Sequence, residues 1–264
     1  MFVINLGKTF SIAALTVLAG ACNDTEEVDS NLEVAGAALS ASEAEGDGQA
    51  LGVFAFPRGA GMTGEQRVQA LKNFIDESLT CADVTVSGGL GATLTFSSNC
   101  QWSGRKWTGT VTLSWTADGT SAEVTYAGLK VNGATLDGEM SVTRAEEDHL
   151  IVDADWTRVT ATGTTVVGSW DGDYQWDAAA YTINSASHVA TVNGISANRT
   201  ATDLVWQRDE LAPESGVVSI TNFRGRNWTM THGRNADGDL TVTVTRPNGA
   251  TRTFVIDADG QPEP

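Results

Sequence analysis

The sequence predicts an all-β protein: one large antiparallel meander preceded by a single amphipathic helix. Three observations carry this. From Asp83 onward apolar residues alternate with Thr and Ser, as in Val84-Thr85-Val86-Ser87 and Leu94-Thr95-Phe96-Ser97, the period of strands with one buried face. Turn dipeptides with a preference for positive φ punctuate these runs roughly every ten to fifteen residues. They are Asp118-Gly119, Asn132-Gly133, Asp137-Gly138, Asp171-Gly172, Asn193-Gly194, Asp237-Gly238, Asn248-Gly249 and Asp259-Gly260. No long helical pattern interrupts the runs, which excludes parallel βαβ units. About a dozen strands are expected between 83 and 257. A sheet of that size must curl, close or fold onto itself, so a curved sheet, an open barrel and a sandwich are the alternatives.

The first element is not a strand. Residues 1–10 hold one base, Lys8, and no acid, and an apolar run from Ser11 ends in Ala19-Gly20-Ala21-Cys22. The run is shorter than the about 20 residues a spanning helix needs, and its basic start and small-residue exit mark a secretory signal. It resembles the lipobox of bacterial lipoproteins, in which Leu, a small residue and Gly or Ala precede a lipid-bearing Cys. Here Leu18 stands one place early and Ala19 takes its position. The resemblance covers residues 1–22 alone. It implies that 1–21 is a removed signal peptide and that Cys22 carries lipid. The implied location is the cell envelope, the outer membrane first, with the membrane as a partner through the anchor. With Cys22 so used, Cys81 and Cys100 remain to form a disulfide, which an exported chain permits. That bond would contribute about 3 kcal/mol. Neither cysteine has a second ligand at zinc spacing.

Residues 22–50 read as a tether. Asp24, Glu26, Glu27, Asp29, Glu33, Glu43, Glu45 and Asp47 have no base among them, and so polar a segment buries too little to offset its ordering entropy. Leu51-Gly52-Val53-Phe54-Ala55-Phe56 is an apolar lead-in, a lone strand or a loop, stopped by Pro57. Thr63 and Gln66 form a capping box. Val68, Leu71, Ile75 and Leu79 follow at helical spacing, predicting a helix over 64–79 with Arg67, Lys72, Asp76 and Glu77 on its polar face. We expect 51–82 and the β region 83–264 to make one folded unit.

Within the β region Trp107, Gly109, Val111, Leu113 and Trp115 share a face, opposed by Thr108, Thr110, Thr112 and Ser114; Leu240, Val242 and Val244 oppose Thr241, Thr243 and Thr245. One wet face is the habit of antiparallel sheets. Asn132-Gly133 and Asp137-Gly138 lie too close for two hairpins, so one should mark a bulge. The segments 102–110 and 223–231 share the pattern aromatic-x-Gly-Arg-x-Trp-Thr-x-Thr, either as turn-and-strand grammar or as a duplicated hairpin.

The chain carries 16 bases against 33 acids, a net charge of −17. Removal of residues 1–21 takes away one Lys and no acid. So acidic a chain lacks the basic footprint that nucleic acid requires.

The side chains that stand out are Arg and Trp two residues apart: Arg105/Trp107, Trp156/Arg158, Trp206/Arg208 and Arg226/Trp228. In a strand, i and i+2 share a face. These pairs could cap a core by cation–π contact or line a cleft for a glycan or acidic headgroup. The Asp-rich stretches 171–177 and 235–239 resemble calcium loops only superficially: counted from Asn235, the Gly and Glu positions of an EF-hand hold Leu240 and Arg246. Asp153 and Asp155 share a strand face, a pairing known from glycoside hydrolysis, with nothing to indicate a cleft. His149, His188 and His232 are scattered. No nucleophile elbow, P-loop or dinucleotide fingerprint is present. No catalytic residue, cofactor or metal is expected. The functional expectation is a lipid-anchored cell-envelope protein of non-enzymatic binding or structural role, with a glycan, a lipid or an envelope protein as the candidate partners. The alternatives are a carrier of a lipid or other hydrophobic ligand, with the helix as lid, and a glycan-binding or glycan-processing lipoprotein.

Overall fold

The computed structural model describes residues 47, 51, 52, 54–56, 61–207, 212–222 and 224–256. The expected signal peptide, Cys22, the expected tether apart from Asp47, Arg208 and the expected Asp259-Gly260 turn lie outside the described residues.

One helix, α1 (Gly64–Ser78), precedes thirteen strands. These are β1 (Ala82–Ser87), β2 (Gly91–Trp102), β3 (Arg105–Trp115), β4 (Ser121–Val131), β5 (Ala134–Glu146), β6 (His149–Val159) and β7 (Thr165–Trp176). They continue as β8 (Ala180–Val192), β9 (Ile195–Gln207), β10 (Ser215–Thr221), β11 (Asn227–Arg234), β12 (Leu240–Thr245) and β13 (Thr251–Val255). All thirteen form one antiparallel sheet whose spatial order is the sequence order, β1 and β13 being its two ends. The meander read from the period-two pattern is therefore present, as a sheet that does not close on itself. By its contacts the chain divides into two compact units, Glu43–Asp171 and a second containing Gly172–Pro264. The division falls within β7.

In the first unit the capping box forms as read. Thr63 Oγ1 accepts from the Gln66 backbone N–H at 3.4 Å, and Gln66 Oε1 accepts from the Thr63 N–H at 2.9 Å. Val68, Leu71 and Ile75 turn inward. Arg67 departs from expectation: it is buried rather than on the polar face, and its Nε donates to the Gly119 carbonyl. Two glycines permit this close approach. A Cβ on Gly64 would stand 2.4 Å from the Thr116 carbonyl oxygen, and one on Gly119 (φ +71°) 2.1 Å from that of Met62. The helix thus docks backbone to backbone on the β3–β4 turn. Cys81, just past the helix, is bonded to Cys100 of β2, with Cα atoms 5.2 Å apart.

Asn132-Gly133 makes the β4–β5 turn with both residues at positive φ. Asp137-Gly138 makes no turn. Asp137 lies opposite a register shift between Tyr126 and Leu129 of β4, and its carboxylate accepts from the Gly128 N–H at 2.6 Å. This is the expected bulge. Asp171-Gly172 likewise runs on inside β7. Asn193-Gly194, Asp237-Gly238 and Asn248-Gly249 sit between consecutive strands, as predicted.

The second unit carries rows of matched residues on one face. One row runs Ala186, Ala201, Val218, Met230, Val244 across β8 to β12. The next runs His188, Arg199, Ile220, Trp228. Tyr174, Tyr181 and Trp206 form an aromatic cluster, with centroids 6.4 and 5.9 Å apart in succession.

Candidate functional site

The inner face of β2 to β6 in the first unit gathers the most unusual chemistry. Its bed is aromatic. Trp107 of β3 lies fully buried between Phe96 and Trp102 of β2, with centroids 5.6 and 5.8 Å away. Its indole N–H donates to the Trp102 carbonyl at 3.0 Å. Further along, Tyr126, Gly138 and Trp156 are matched across β4, β5 and β6. A Cβ on Gly138 would come 2.3 Å from the Asp155 carbonyl oxygen of β6 and 3.0 Å from the Tyr126 ring, so glycine makes room for both.

Onto this bed lies a segment that the sequence assigned to the tether and its lead-in. Asp47 is helical and 1% exposed. Leu51, Gly52, Phe54 and Ala55 are helical too, where a strand or loop was expected. Leu51, Phe54 and Ala55 are fully buried. Phe54 stacks on Trp102 at 4.4 Å and lies 6.2 Å from Phe96. The Trp115 indole N–H donates to the Ala55 carbonyl at 2.6 Å. Phe56 lies beneath two guanidinium groups, Arg67 at 4.9 Å and Arg144 at 5.3 Å from its centroid.

Asp47 is held by two of the arginines that the Arg–Trp pattern singled out. Arg105 of β3 places Nε 2.6 Å from Oδ1, and Arg158 of β6 donates through Nη1 to Oδ2. Arg158 is buried and Arg105 partly exposed. These two arginines therefore engage a carboxylate that their strands do not supply. The Tyr126 phenol is held well above its ordinary range, first by burial and then by the charges of Asp47 and Asp155.

The other pattern residues fall elsewhere. Trp156 is buried on the same face, its indole N–H lacking a hydrogen-bond acceptor. Trp206 and Trp228 are buried in the second unit, whereas Arg226 is exposed. All the described tryptophans of the four pairs thus present at most 9% of their surface.

Asp153 and Asp155 are exposed on the outer face. With burial, their charges raise the pKa of Asp171, burial being the larger cause. Asn235 uses its carboxamide to accept from the Asp237 and Asp239 N–H groups, closing a turn. Among the described residues no group of three or more His, Cys, Asp or Glu could hold a metal ion. His232 is pushed down to about 4 by burial. His188 is lowered too, by burial first and then by Arg199 opposite it.

Sequence reasoning missed Asp47 and Arg67. For Arg67 a signal existed: it stands four residues before Leu71 and eight before Ile75, on one helical ridge. For Asp47 none did, since its neighbours are acids and small residues. Comparison with protein-family models, curated proteins and solved structures finds no match for this chain.

Proposed function

We propose that the protein is a lipid-anchored component of a bacterial cell envelope with a non-enzymatic role, displaying a β domain close to the membrane that holds it. One observation supports this above others: the segment following the lipobox-like Cys22 is built into the domain at Asp47, through Arg105 and Arg158. About 25 residues then separate anchor from fold. The first unit would be held near the surface rather than on a long leash. The burial of Trp107, Trp156, Trp206 and Trp228 supports a core role for the indoles; a glycan platform would need them flat and open.

Replacement of Cys22 by Ser tests the anchor. The unaltered protein, expressed with its leader, should enter the detergent phase on phase partitioning and carry acyl mass on Cys22. Cys22→Ser should move to the aqueous phase. Equal partitioning of the two would overturn the reading.

A further inference from the structure

We draw no further inference here: the strongest candidate, the apolar face of β8 to β12 in the second unit, where Ile183, Leu204 and Met230 are buried and the Tyr181 hydroxyl and His232 Nδ1 are buried without a hydrogen-bond partner, carries none, because nothing among the described residues shows what covers it.

Discussion

A carboxylate drawn from a run of uncompensated acids ends 1% exposed between two guanidinium groups. Removing one member of such a group breaks a buried ion pair, which costs about 3–5 kcal/mol. Arg158→Ala and Asp47→Ala should each lower stability by about that amount in urea titrations. Together they should cost clearly less than the sum of the two, because the partners are coupled. His232 offers a second prediction. Burial lowers its pKa to about 4, while in the unfolded chain it titrates near the ordinary 6.5. Above both values the ring is neutral in either state and contributes no pH dependence. As pH falls from 6.5 toward 4 the unfolded chain takes up the proton first, so stability is lost across that window. We expect a loss of about 1–3 kcal/mol from this ring, less than the full shift because it is only half-buried. His232→Phe should flatten that part of the acid limb in thermal melts. Its Nδ1 is buried without a hydrogen-bond partner, so little else is forfeited. His232 follows Trp228 and Met230 at period two, an inward strand position, but the depth of its burial depends on neighbouring strands that no local window contains.

At the scale of elements, α1 is held in two ways. Its apolar ridge packs inward, and its first residue meets the β3–β4 turn through glycines on both sides. Gly119→Ala should destabilise by about 2–4 kcal/mol, because it adds both a steric clash and a positive-φ penalty. Met62 and Thr63 would have to withdraw, and the helix with them. Circular dichroism melts would report it, and the control Gly133→Ala isolates the backbone term, since nothing lies within 4 Å of that position. The elements themselves were largely legible. The capping box set the helix start, the alternation set the strands, and Asn-Gly and Asp-Gly marked several turns. The Asp-Gly pair at 171 misled as a hairpin signal, while the pair at 137 fell at the bulge its spacing required; glycine answers a packing need at both, since a Cβ would meet the Asp155 carbonyl at Gly138 and the Tyr174 ring at Gly172. The helix of the lead-in was illegible for a different reason. The apolar run 51–56 is too short to tell a helical from a strand period, and the contacts that order Asp47 lie 58 and 111 residues away in the chain, at Arg105 and Arg158.

Across the whole molecule each strand pairs with its immediate successor. Such an order needs few distant contacts for the sheet itself. Each hairpin can close as soon as its second strand exists, so pairing proceeds stepwise along the chain, with small loop-closure costs. The clasp on Asp47 is the exception, for its partner on β6 comes 111 residues later. Asp47 can settle only after six strands have formed, and its contacts belong late on the folding route. Stopped-flow measurements on Asp47→Asn should show almost the whole loss of stability as faster unfolding, with the refolding rate nearly unchanged. Time, as well as distance, then separates this carboxylate from the arginines it joins. A chain stalled before β6 would hold a zipped sheet with an acidic end still waiting, and its slowest step would be the arrival of one charge.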